Sequence, residues 1–273
     1  MKMNFTASRP GYAECGETLK RLAAENENIS LAKAGKSAAG RRIYALVIGN
    51  GSRRILAAAG INGLEKDMGF MLVRFAAELA NAAKHGKSIC GYAAEKLLSE
   101  NTLVLVPFAN PDGIEYSALP ERSTAVSSEV RFYSRRGANA RGIDLNLNFA
   151  ADIPDSAAKN SCGLIAAAAQ SEPETAALAR LCRQLQFERI INLGTGSRVA
   201  LCKGRSEDEY LTARLLAAAA LMPCAVNENE DFDGFCAWAA DELDTFALSV
   251  RLENENAEEY KKLCRLLTYS LVL

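Results

Sequence analysis

The chain has 273 residues, 49% of them hydrophobic, which is the length of one large domain and enough apolar material for a sizeable core. Its 32 basic and 33 acidic residues leave a net charge of -1, which offers no electrostatic footprint for nucleic acid or an anionic membrane surface. His85 is the one histidine, so no centre that needs two imidazoles can be built. The eight cysteines form no CxxC pair and read as buried or reduced thiols.

Met1 to Lys20 is polar and broken by Pro10 and Gly11, so no signal peptide is expected. The longest apolar runs, such as Leu215 to Met222, are too short to span a bilayer, and a cytoplasmic location is the expectation. Glu14 to Glu25 has the amphipathic pattern of a helix. Ile29 to Ala34 and Arg42 to Ile48 alternate as strands, joined as a hairpin through GKSAAGRR. Gly49-Asn50-Gly51 turns the chain into a buried strand, Arg54 to Ala59, which breaks at Gly60 before a helix over Lys66 to Lys84. A short helix follows over Tyr92 to Leu98, then a central strand, Thr102 to Pro107. Asn110-Pro111-Asp112-Gly113 reads as a turn. The polar stretch Glu115 to Arg141 has no clear period and reads as a functional loop or a mobile excursion. Ser171-Glu172-Pro173-Glu174 carries a helix-start signature with Ser171 as the N-cap. The rest alternates: strands at Arg189 to Leu193 and Arg198 to Cys202, helices at Glu207 to Met222 and Phe235 to Leu243, a strand at Phe246 to Leu252, and a helix at Ala257 to Leu271. This order predicts an α/β sandwich around a mixed sheet, as a single domain over residues 1–273. Asn62 and Glu65 stand just past the carboxyl end of the Arg54–Ala59 strand, where open α/β sheets bind ligands.

Six segments, in order, resemble the zinc carboxypeptidase family of the carboxypeptidase A type. GKSAAGRRIYALVIGNG resembles its GxSxxGRxIxxxxIG hairpin, AAGINGLE its AGIHGxE turn, and VPFANPDGIEYS its VPxxNPDGxEY segment. NARGIDLNLNF resembles NxRGVDLNRNF, SEPET the start of the following helix, and GFCAWAADELDTFALSVRLE the late GxxxxWAxxELGIPxxTIEL stretch. The likeness is nearest to bacterial γ-D-glutamyl–diamino acid peptidases. It implies a three-layer α/β/α sandwich with a mixed sheet of about eight strands.

The resemblance also implies a zinc ion held by two His and one Glu, a Glu general base, and an Asn–Arg pair for the substrate carboxylate. This sequence departs from that set. The first His position is Asn62 and the second is Gly194; only the Glu ligand is kept, as Glu65. The base position is Arg251, which stays protonated and cannot accept a proton. Asn146 and Leu147 fall on the carboxylate pair, so its Arg is absent, and Arg135, Arg136 and Arg141 compete for a further Arg role. His85 reads as a solvent-facing helix terminus. Cys202 and Cys236 lie near the site without paired spacing.

A buried carboxylate that has lost its ion is costly unless paired, so Arg251, with Arg198 as competitor, is expected beside Glu65. The expected pocket comprises Asn62, Glu65, Asn146, Thr195, Arg198 and Arg251, with Trp238 as a packing residue. The implied function is a catalytically inactive carboxypeptidase-like module that serves as a scaffold or binds a peptide or cell-wall fragment. It would have no cofactor, no catalytic residue, no nucleic-acid partner and no membrane partner. The alternative is a metallocarboxypeptidase with a non-standard metal site.

Overall fold

The computed structural model describes residues 11–122, 127–149, 161–203, 205–226 and 234–273. Residues 1–10 of the polar start and residues 123–126 of the polar stretch lie outside them. Ten strands are present among the described residues: β1 (Ile29–Lys36), β2 (Arg42–Ile48), β3 (Arg53–Ala59), β4 (Ser88–Ile89), β5 (Tyr92–Ala93), β6 (Asn101–Val106), β7 (Arg189–Thr195), β8 (Val199–Cys202), β9 (Cys224–Val226) and β10 (Phe246–Leu252). The helices are α1 (Tyr12–Glu25), α2 (Lys66–Lys84), α3 (Ala94–Glu100), α4 (Pro111–Ala118), α5 (Ser128–Ser134), α6 (Pro173–Leu185), α7 (Glu207–Ala219), α8 (Gly234–Leu243) and α9 (Ala257–Val272).

Eight strands form one mixed sheet in the order β1-β2-β6-β3-β7-β10-β8-β9. The middle four, β6, β3, β7 and β10, run parallel, whereas β1–β2, β2–β6 and β10–β8 pair antiparallel. Parallel strands are covered on both faces, so they read as continuous apolar runs. In β3, Ile55 through Ala59 are all fully buried. One face packs α1, α2, α3, α7 and α9 against Ile55, Ala57, Ile191, Leu193 and Leu248. The other packs α6, α8 and Phe149 against Leu56, Ala58, Ile190 and Ala247. This is the expected three-layer sandwich.

Four local readings need correction. Asn110-Pro111-Asp112-Gly113 is a helix start: the Asn110 side chain accepts the Gly113 N–H, and Pro111 opens α4, where its missing N–H costs nothing. The polar stretch after it contains a 3-10 turn, Pro120–Arg122, and then α5, capped by Ser127. Helix α6 is preceded by Glu172 at the N-cap position, not Ser171, because Asn148 Oδ1 accepts the Glu172 N–H and holds the chain one residue further on. Tyr92 belongs to β5, paired with β4 in a small hairpin, and α3 begins two residues later.

Candidate functional site

Three adjacent parallel strands deliver the site. β3, β7 and β10 end side by side; Ala59 pairs with Leu193, and Arg251 pairs with Gly194. After β3 the chain turns at Gly60, whose φ of +67° suits glycine, and enters the 3-10 turn Gly63–Glu65. An ideal Cβ at Gly63 would overlap the Gly113 backbone, so the start of α4 fixes where that turn sits.

Asn62 caps this turn. Its Oδ1 accepts the Leu64 N–H at 3.0 Å, an N-cap bond that an imidazole in the same place would not make with an amide oxygen. The Cys162 thiol stands near enough for the Asn62 side chain to act on it through a hydrogen bond. Burial, then the neighbouring Asp144 carboxylate, push that thiol up, while the Asn62 bond and Arg136 pull it down. Cys162 was not singled out from sequence. Its proximity to Asn62 spans a hundred positions and leaves no local pattern.

Glu65 closes the turn at the head of α2, and its Oε1 accepts the Thr195 backbone N–H at 2.8 Å. Across from it, an ideal Cβ on Gly194 would stand 3.4 and 3.6 Å from the two carboxylate oxygens. Position 194 is thus aimed at Glu65 and carries nothing. Thr195 contributes its main chain; its side chain is on an exposed residue. Asn146 lies in the 3-10 turn Leu145–Asn148, with its N–H on Asp144 Oδ1 at 3.0 Å and its carbonyl against Gly234 at the start of α8.

The two arginines expected near Glu65 have different surroundings. Arg198 pairs with Glu259 at 2.6 Å and Glu253 at 3.1 Å, which draws it to the start of α9. Arg251 is half-buried, and its stem runs along Gly196, with Cδ 3.3 Å from where a Cβ there would be. Arg198, the competing partner expected for Glu65, is thus held by Glu253 and Glu259, and the Thr195 main-chain amide donates to Glu65. Of the three arginines upstream, Arg141 approaches Glu172 at 3.4 Å, and Arg135 ends α5 exposed. Arg136 stacks over Phe132, with 5.3 Å to the ring centroid, and acts electrostatically on Cys162. Arg136 is the one on the Asn62 side.

The donors do not fit a zinc ion. Catalytic zinc takes three N, O or S side-chain ligands and leaves an open position. Here one carboxylate is present, the amide is committed to a cap, and glycine occupies the third place. Among the described residues no group of three or more His, Cys, Asp or Glu converges to hold a metal. Cys202 and Cys236 pack into the cores on opposite faces of the sheet, so they cannot share an ion. His85 ends α2 exposed, with Nδ1 2.8 Å from the Asn81 carbonyl oxygen. Trp238 is buried in the core beside Phe149 and Phe235, as a packing residue.

Around this altered centre the remaining motif residues form a dense polar frame. Buried Asp112 accepts from Ser37 Oγ at 2.7 Å, Ala39 N at 2.8 Å and Arg41 at 2.8 Å, which pins the β1–β2 loop to α4. Glu174 accepts from Ala38 N at 2.9 Å, and Asn139 bonds both Glu172 at 2.7 Å and Glu174 at 3.3 Å. Burial, reinforced by Asp112, pushes the Glu174 carboxyl up to about 7. Asp144 accepts the N–H groups of Asn146 and Cys162, a satisfied carboxylate whose burial raises its pKa.

The family model described as zinc carboxypeptidase matches residues 16–262. A curated relative, gamma-D-glutamyl-L-diamino acid endopeptidase 1 of Lysinibacillus sphaericus, is 28% identical over 180 residues, covering 60% of this chain and 45% of its own length. The match therefore spans less than half of that relative. Among solved structures, thrombin activatable fibrinolysis inhibitor superposes with a TM-score of 0.76 at 16% identity, over 98% of this chain and 80% of the other. Murein-tripeptide amidase MpaA of Escherichia coli O157 gives 0.55 at 18% identity, over 89% and 91%. No helix among the described residues is long and apolar enough to cross a membrane. A family match over most of the chain, on a sheet that brings the Asn62, Glu65 and Gly194 positions together, shows that this protein belongs to the zinc carboxypeptidase family.

Proposed function

We propose that this chain is a zinc carboxypeptidase-fold module that has lost zinc-dependent hydrolysis and binds a peptide at the carboxyl ends of β3, β7 and β10. The observation that carries the reading is Gly194. Its Cβ direction meets the Glu65 carboxylate, where a ligand side chain would be needed, and it supplies none. The Thr195 amide gives Glu65 a hydrogen-bond donor in place of an ion, and Asn62 serves its own turn. Arg251, a side chain of hydrogen-bond donors with no acceptor, occupies the position that a base would need. The ligand class is a peptide of the cell-wall type with a γ-D-glutamyl–diamino acid linkage, supported by the name of the curated relative.

The test is elemental analysis of the purified protein, together with calorimetric titration and a hydrolysis assay using a γ-D-glutamyl–diamino acid peptide. Expected are no stoichiometric zinc, binding of the peptide, and no cleavage when zinc is added. Stoichiometric zinc lost on Glu65→Ala, or zinc-dependent cleavage, would overturn the proposal and favour a metallocarboxypeptidase with a non-standard site.

A further inference from the structure

Away from these strand ends, the β4–β5 hairpin turns at Cys90 and Gly91, both with positive φ, at +47° and +89°. Cys90 is exposed at that tip. Its Sγ lies 3.5 Å from Sγ of Cys264, a buried residue on α9 and 174 positions later in the chain. The hairpin is seated on α9 by a second contact, Tyr92 edge-on to Tyr269 with ring centroids 5.5 Å apart. Burial, then Cys90 and Glu78, push the Cys264 thiol up to about 12, so it is the sheltered and slower sulfur. Glu78 itself accepts the Tyr260 hydroxyl at 2.6 Å. Of the eight cysteines, Cys90 alone is exposed; Cys162 and Cys224 are half-buried and the other five buried.

We propose that Cys90 and Cys264 form a thiol–disulfide exchange site whose co-substrate is a low-molecular-weight disulfide of the oxidised glutathione type. Cys90, as thiolate, attacks one sulfur of the small disulfide and expels a thiolate, leaving a mixed disulfide on Cys90. Cys264, as it loses its proton, attacks Cys90 Sγ and expels the second small thiolate. The protein loses two electrons and two protons, the small disulfide gains both, and one Cys90–Cys264 bond forms. The closed bond ties the hairpin to α9 across nearly two-thirds of the chain, the long-loop case in which a cross-link constrains the unfolded state most.

The test treats the fully reduced protein with oxidised glutathione, followed by acid quench, alkylation, peptide mass mapping and thermal melting. For the wild type, a cross-linked Cys90–Cys264 peptide is expected, with no retained glutathione and a melting temperature higher by roughly 5–10 °C. Cys264→Ser should trap glutathione on Cys90 without the rise in melting temperature, and Cys90→Ser, an exposed change that the fold tolerates, should show neither. A lasting adduct on Cys90 in the wild type would overturn the proposal. So would a cross-link that maps instead to the neighbouring pair Cys202 and Cys224, or a rise that survives in Cys90→Ser.

Discussion

Restoring imidazoles at positions 62 and 194 should give this chain a zinc site. Gly194 has room for a β-carbon: an ideal Cβ meets nothing nearer than the Glu65 oxygens at 3.4 and 3.6 Å, and its backbone is not left-handed, so a side chain can start there without backbone strain. Structural zinc sites with four ligands bind with about 10–16 kcal/mol, or roughly 2.5–4 kcal/mol per ligand. Two added imidazoles are therefore worth about 5–8 kcal/mol, a gain of about four to six powers of ten in Kd over Glu65 alone. Against this stands the Asn62 cap on Leu64 N–H, whose loss costs about 1 kcal/mol of stability. The double variant Asn62→His/Gly194→His should thus melt slightly below the wild type without metal. At a free zinc concentration a hundredfold above its Kd it should gain about 2.7 kcal/mol. Competition with a coloured chelator measures the affinity, and zinc-dependent melting measures the linkage. Two results refute the reasoning: a double variant that binds zinc no better than the wild type, or one whose affinity is unchanged by Glu65→Ala.

Glu174 should make stability depend on pH. Its folded pKa of about 7 lies above the ordinary 4.5, so its contribution is complete below pH 4.5 and lost as pH rises through 7. That window is worth roughly 3 kcal/mol, and the stability gap between wild type and Glu174→Gln, from urea midpoints, should shift by about that much between pH 4.5 and 8. Asp112→Ala removes three hydrogen-bond acceptor contacts and the carboxylate partner of the Arg41 guanidinium. It should cost roughly 3–5 kcal/mol in chemical denaturation, against about 1 kcal/mol for Ser37→Ala. Gly63→Ala forces a methyl into the Gly113 backbone and should cost about 1–3 kcal/mol or more, read from the same curves. A loss below 0.5 kcal/mol there would show that the turn yields instead.

The architecture was legible because the elements that build the sheet carry long, regular patterns. β2, β10 and α2 fall at the predicted bounds, and the parallel core strands announce themselves as unbroken apolar runs. What escaped was short or locally patternless. Helix α5 exposes Phe132 and buries little, so no period marks it, and β9 has three residues. The site divides in the same way. Glu65 and Gly194 could be placed because each sits at a strand end within an ordered motif, and the strands bring them face to face. Arg198 could not be placed, because strand register fixes where a residue sits but not where a long side chain ends. Arg198 is claimed by Glu253 and Glu259, which lie 55 and 61 positions away in sequence.

The frame around Asp112 also bears on how the chain comes to be folded. Ser37 in the first hairpin waits for Asp112, 75 positions on, and its neighbour Ala38 waits for Glu174, 136 positions on. Contacts of such separation must overcome loop-closure entropy before they stabilise anything, and they form late. A ribosome-bound chain that has already emitted β1 and β2 therefore holds an open hairpin loop until α6 has been synthesised. The corner where the β1–β2 loop meets α4 and α6 is among the last parts of the molecule to close.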